Sequence, residues 1–274
     1  PTAHNKYFEV LVEWKIEKNI LYGSWSVENS ATAKLPLPIN SSPQTNGHIK
    51  WWKNYWEKSS VQLPDEILEK QYYLEMYKLG AVSRATTPAI TLQAVWTADN
   101  GSLPPWKGDF HHDLNTQLSY WPGYTGNHLD LTASYTNWLW KVKDVNKKWT
   151  KNYFGLDGLN VPGVTTISGK EMGGWIQYSM SPTTAAWIAQ HFYWQWKYSM
   201  DKKFLKDRAR PYVLDAASFL DDITETDSVK NLPLSSSPEY FDNSIKAWFD
   251  KITNYDLALT SSLFDNAWVV EFFS

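Results

Sequence analysis

The 274-residue sequence predicts an all-α domain behind a short strand-rich lead-in, and three observations carry that reading. Period-2 alternation of β-branched and aromatic residues is confined to the N-terminal stretch 7–27. Beyond about residue 46 the recurring pattern is a capped, amphipathic helix. The glycines gather in long loops between those helices.

The elements follow in order. "YFEVLVEWKIEKNILYGSWSV" at 7–27 reads as one or two strands. "ATAKLPLPINSSPQTNGH" at 31–48 carries three prolines and a Ser/Asn/Gly-rich end, the composition of a linker. In "LPDEILEKQYYLEMYKLGA" at 63–81, Pro64 suits the first helical position, acidic residues fill the first turn and Gly80 is the expected stop. "SPTTAAWIAQHFYWQWKYSM" at 181–200 offers Ser181 as N-cap with Pro182 behind it. The helix over 201–223 starts at Asp201 and should kink or split at Pro211. A last amphipathic helix is expected over 242–264. No short repeat is visible. The division expected is residues 1–45, strands and linker, and 46–274, the helical domain.

Composition narrows the function. Hydrophobic residues make up 43% and charged residues 20%, which is ordinary for a packed core. A net charge of −3 gives no case for nucleic acid or a membrane surface as partner. The basic run 141–151, interrupted by Asp144, reads as a solvated helix end or loop. With no cysteine there is no disulfide, thiol nucleophile or thiolate metal site. No apolar run approaches the ~18 residues of a membrane span. The six histidines lack metal spacing, and neither a phosphate loop nor a nucleophile elbow appears, so no cofactor and no metal are expected. The aromatic count is high, at 17 Trp, 16 Tyr and 11 Phe. Such flat faces with polar handles suit cores and sugar-binding clefts alike.

Two stretches could carry chemistry. "GDFHHDLNTQLSYWP" at 108–122 sets polar groups among aromatics. In extended chain Asp113 and Asn115 point the same way; in a helix they diverge by about 200°. A polar floor for a ligand and a plain helix cap, with Asp113 as N-cap, both fit. In "LPLSSSPEYFDN" at 232–243, Pro238 delivers Glu239 beside Tyr240 and Phe241. A carboxyl pressed against aromatic surface is driven toward its neutral form, as a general acid requires. A place in the first turn of the next helix is the structural alternative. Trp106, Trp175 and His191 complete the candidate substrate contacts, although His191 also reads as a core histidine. Glu171, in "SGKEMGGW", is weaker still.

Taken together these segments resemble the catalytic domain of glycoside hydrolase family 95, the inverting α-L-fucosidases and related α-L-galactosidases. The resemblance runs in order over about 48–265 through "WWKNYWEKSSVQLPDEILEKQYYLEMYKLG", "TLQAVWTADNGSLPPWKGDFHHDLNTQLSYWPGYTGN", the 180–222 helices and "SSSPEYF". It implies an (α/α)6 barrel, an oligosaccharide or polysaccharide substrate, and single displacement by water. Glu239 falls on the family's general acid. The family's water-holding Asn-x-Asn reads Asp113-Leu114-Asn115 here, a departure that allows Asp113 to be the base, with Asn115 orienting the water. Alternatively Asp113 marks a neighbouring family with a different sugar, such as an L-galactoside or L-arabinose-type substrate, and His111 and His112 would then contact sugar hydroxyls and set that preference. The family's later catalytic Asp has no counterpart before "DNAWVVEFFS", and Asp256, expected mid-helix, is a poor substitute. Two expectations follow: either the last barrel helices lie outside this chain, or this variant closes its core differently. Secretion or periplasmic location is the family-level expectation. A non-catalytic carbohydrate-binding or scaffold fragment is the alternative, and a phosphorylase on the same fold lacks the basic phosphate pocket it would need.

Overall fold

The computed structural model describes residues 9–28, 45–94, 102, 105–224, 231–237 and 239–274. The linker expected over 31–48 lies outside them up to residue 44, as does Pro238. Two compact units divide after Trp56, eleven residues beyond the expected boundary at 45.

In the first unit, β1 (Glu9–Glu17) and β2 (Ile20–Glu28) form an antiparallel hairpin in which Val12 faces Trp25 and Ile16 faces Leu21. Lys18 and Asn19 both take positive φ, so the two-residue turn has the twist that matches right-twisted strands. The strand alternation thus resolves into two strands. In α1 (Thr45–Trp56) aromatics recur at i, i+4: Trp51 stacks on Tyr55 and Trp52 on Trp56, at 5.2 and 5.9 Å between rings.

The second unit is almost wholly helical. α2 (Glu66–Val82) is capped by Asp65, whose carboxylate accepts from the amides of Ile67 (2.9 Å) and Leu68 (3.2 Å). Pro64 therefore precedes the cap instead of opening the helix, and Gly80, buried, is passed before the helix stops at Ser83. A 3-10 turn (Pro105–Gly108) and β3 (Phe110–His111) lead into the short helices α3 (Asn115–Leu118) and α4 (Trp121–Thr125). The long α5 (Leu129–Phe154) is terminated by Gly155 in the left-handed conformation. It contains the basic run, there a helix stretch whose Lys143 and Lys147 both pair with Asp215.

After β4 (Val164–Thr165), which pairs with β3, come α6 (Ile176–Ser179) and α7 (Thr184–Ser199). α7 begins after Thr183, two residues past the expected cap at Ser181, and without a side-chain cap. Asp201 does cap its helix, accepting from Lys203 and Phe204. That helix splits as expected: α8 (Lys202–Phe204) passes through a π turn (Leu205–Ala209) into α9 (Arg210–Thr224). Pro211 has no N–H to return, and the π turn widens the coil one turn ahead of it.

The expected helix over 242–264 is corrected. Residues 239–253 hold only a 3-10 turn at Ile245–Ala247 and a bridge from Ser235 to Phe249; α10 runs from Asn254 to Phe273. Glu239, Phe241 and Asp242 all have positive φ, which is incompatible with a helix there.

The core lies where α5, α7, α9 and α10 pack together. Ala185, Ala186 and Ala189 let α7 approach its neighbours closely, and Phe192 stacks on Tyr212 at 3.8 Å. Burying each large side chain of this set contributes about 1.5–3 kcal/mol. The described residues are mostly helical, as an all-α fold requires.

Candidate active site

The polar stretch at 108–122 divides into a buried half and an accessible half. β3 carries His111, half-buried, and the turn 112–114 follows it. Adjacent side chains on a strand point to opposite faces, so His112 goes inward while His111 stays out. His112 is fully buried: Nδ1 meets the Tyr135 hydroxyl at 3.0 Å and Nε2 the Thr165 hydroxyl at 2.9 Å. Burial, followed by the charge of neighbouring His111, lowers its pKa to about 3. His191 on α7 is equally buried, with Nδ1 on the Tyr124 hydroxyl (2.9 Å) and Nε2 on Gln117 Oε1 (3.1 Å). Gln117 closes the chain by donating to the His112 carbonyl at 2.6 Å.

Both ring nitrogens of both histidines are taken. The substrate contacts expected of His112 and His191 therefore do not fit their places: they are core histidines that hold the turn above them. Tyr120 extends the same network, stacked on Tyr135 at 4.9 Å and hydrogen-bonded to Ser134 and to the amide of Ile90.

That turn presents Asp113. It is not an N-cap, because α3 starts at Asn115 and Leu114, with no side-chain bond to offer, holds the cap position. Its Oδ1 is buried and has no partner. Burial raises the Asp113 pKa, His111 and its own amide oppose the rise, and the charge of Glu239 adds to it. Asp113 and Glu239, remote in sequence, thus stand within electrostatic reach of one another. Asn115 opens α3, exposed, two residues on.

Glu239 is exposed and not pressed beneath Tyr240 and Phe241, which are exposed themselves. Its loop is held from behind. Asp256, fully buried in the first turn of α10, accepts from the Ser235 hydroxyl (2.5 Å), the Ser236 amide (3.1 Å) and the Thr183 hydroxyl (2.5 Å). Asp256 is therefore near the helix start, tying α7, the serine loop and α10 together. Strained positive φ at Glu239, Phe241 and Asp242 costs on the order of 1–3 kcal/mol each and persists only where the surroundings over-determine it.

The helix α6 forms another wall. The Gln177 amide donates to the Asp242 carbonyl, and Asn243 accepts from the Ile176 amide at 3.0 Å. Trp175, more than a third exposed, stacks on Tyr178 at 5.7 Å with planes 13° apart. The Tyr178 hydroxyl feels Glu239, Asp113 and Asp242. Tyr255, raised mainly by burial, also feels Asp256 and Asp113, and sits edge-on to Trp187 at 5.7 Å. Trp106, exposed, is edge-on to His111, which contacts Asp109 at 3.3 Å. Glu171 is tied into a bridge with Thr165. Sequence reasoning missed Tyr178, Tyr255 and the part played by Asp256. The double glycine and aromatic run of "GGWIQY" is the one local signal that could have marked Tyr178. Among the described residues no cluster of His, Cys, Asp or Glu could hold a metal ion.

Asp113 and Glu239 are within electrostatic reach of one another, and paired carboxyl groups are the working parts of glycoside hydrolases. The chain belongs to one such family: the model of the glycosyl hydrolase family 95 catalytic domain matches residues 28–271. Among its relatives is the protein named Alpha-L-fucosidase 2 of Arabidopsis thaliana, 28% identical over 178 residues, which are 64% of this chain and 21% of that protein. The Probable alpha-fucosidase A of Aspergillus niger is 23% identical over 231 residues, 72% of this chain and 28% of that protein. The chain thus spans less than a third of the length of these curated relatives.

Proposed function

We propose that this chain carries the catalytic machinery of an inverting exo-glycosidase acting on an α-linked L-fucoside or a closely related L-sugar. Glu239 is the general acid that protonates the departing glycosidic oxygen. Asp113 takes a proton from water as that water attacks the anomeric carbon from the opposite face, and Asn115 orients it. The observation that carries the reading is that Asp113, with one buried and unpartnered oxygen, feels the charge of Glu239 from a separate loop. An inverting pair needs about 6.5–9.5 Å between its carboxyl groups to admit the water. Burial raises the pKa of Asp113, which suits proton abstraction. His111, Trp106 and Trp175, all accessible, are the remaining sugar contacts.

The exposure of Glu239 favours the second reading, a carbohydrate-binding fragment without turnover. Glu239→Gln separates the two. With an aryl α-L-fucoside of poor leaving-group quality, turnover should fall about 10²–10⁴-fold, and proton NMR of the wild-type reaction should show the β-anomer first. No wild-type turnover on any α-L-glycoside, with sugar binding retained, would establish the binding reading instead.

A further inference from the structure

Tyr178 on α6 has no part in that chemistry although it feels both carboxylates. The Tyr178 hydroxyl is buried and has no hydrogen-bond partner, an arrangement that costs about 1–3 kcal/mol unless something completes it. The Glu239 amide points at its oxygen, which leaves the phenol proton unused, and the carboxylates of Glu239, Asp113 and Asp242 all act on it. Its ring is fixed on one side by Trp175, nearly parallel at 5.7 Å. Its backbone is fixed on the other, because the Tyr178 carbonyl lies hard against Gly163. The short helix that bears it is tied to the loop of Glu239 through Asp242 and Asn243. Every neighbour therefore holds the phenol in place, and none uses its proton.

We propose that Tyr178 is a specificity-determining residue, donating its hydroxyl hydrogen to a ring hydroxyl of the sugar bound between Asp113 and Glu239, with Trp175 as the stacking face beside it. The inference rests on the reading of those two carboxyls as the reacting pair. A neutral phenol is the right donor there. Burial and then the Glu239 charge push its pKa up to about 12, so it keeps its proton at any working pH. A lysine or arginine in the same place would neutralise the carboxylates instead. The substrate class implied is a pyranoside with a free hydroxyl on the edge facing α6, its apolar face toward Trp175.

The test is Tyr178→Phe, which keeps the ring and the stack, measured on 4-nitrophenyl α-L-fucopyranoside and on its 2-, 3- and 4-monodeoxy analogues. The expected result is a loss of about 10–100-fold in kcat/KM on the parent substrate. One deoxy analogue should be as poor for wild type as the variant is on the parent, and the variant should lose nothing further on that analogue. Equal losses on all four substrates would mean that Tyr178 is only structural, and wild-type kcat/KM would overturn the proposal outright. Titration of L-fucose into Glu239→Gln and into Glu239→Gln with Tyr178→Phe separates this from the catalytic reading. If Glu239→Gln still turns over, the acid assignment fails, yet weaker fucose binding on loss of the hydroxyl would still support Tyr178.

Discussion

Gly163 stands so close to Tyr178 that a β-carbon built on it would come 2.1 Å from the Tyr178 carbonyl oxygen. The Gly163 carbonyl also accepts the His112 amide at 2.7 Å. One residue without a side chain thus joins the turn of Asp113 to the helix of Tyr178. Gly163→Ala forces backbone against backbone, where nothing flexible can yield. We expect a loss of about 1–3 kcal/mol in stability, together with a fall in turnover larger than the fall in substrate binding. Urea unfolding and steady-state kinetics on the same variant check both.

Asp256 predicts a different failure. Its carboxylate receives Ser235, Ser236 and Thr183, none of which has water to turn to. Asp256→Ala leaves the buried Ser236 amide without its acceptor and takes from the Ser235 and Thr183 hydroxyls their shortest bond, and should cost about 2–4 kcal/mol. The loop of Glu239 should open before the core does, so protease cleavage within 231–243 should precede global unfolding. A variant as stable as wild type, with that loop uncut, would contradict the role given to this side chain.

The buried histidines set the acid response. His112 and His191 each fall to about 3 in the fold from an ordinary value of 6.5. Between those limits the unfolded chain binds protons that the folded chain refuses, so stability is present above pH 6.5 and is lost as pH falls toward 3. The slope is about 1.4 kcal/mol per pH unit for each fully buried histidine. Denaturant unfolding at pH 7, 6 and 5 should show stability nearly level above 6.5 and falling below it. Asp113, with its pKa raised by burial, acts in the opposite sense but is one group against two, so a flat profile down to pH 5 would count against both buried rings.

Much of the fold was legible because local signals agreed with tertiary need. Alternation gave the hairpin, Asp201 its cap and Pro211 the break before α9. The misreadings came where distant partners decided. Apolar spacing over 242–264 imitates a helix, but Ser235 bridges to Phe249 and Asp256 recruits the serine loop, so the chain stays irregular until Asn254. The adjacent histidines look equivalent in sequence. Only the pleat at β3, with Tyr135 and Thr165 waiting inside, separates His112 from His111. Glu239 and Asp113 were paired as acid and base by the family resemblance, not by any local pattern. Their shared field, and Tyr178 within it, depend on two loops and the helix α6 meeting in space, which no local pattern records.

The most direct test of the central claim is kcat/KM of Asp113→Asn as a function of pH. The substitution keeps shape and restores the Asn-x-Asn pattern of the family while removing the carboxylate. With Asp113 as base, wild-type activity is lost as pH falls through its raised pKa, and the variant loses about 10²–10⁴-fold at neutral pH along with that acid limb. An Asp113→Asn protein as active as wild type, with the acid limb unchanged, would place the base elsewhere.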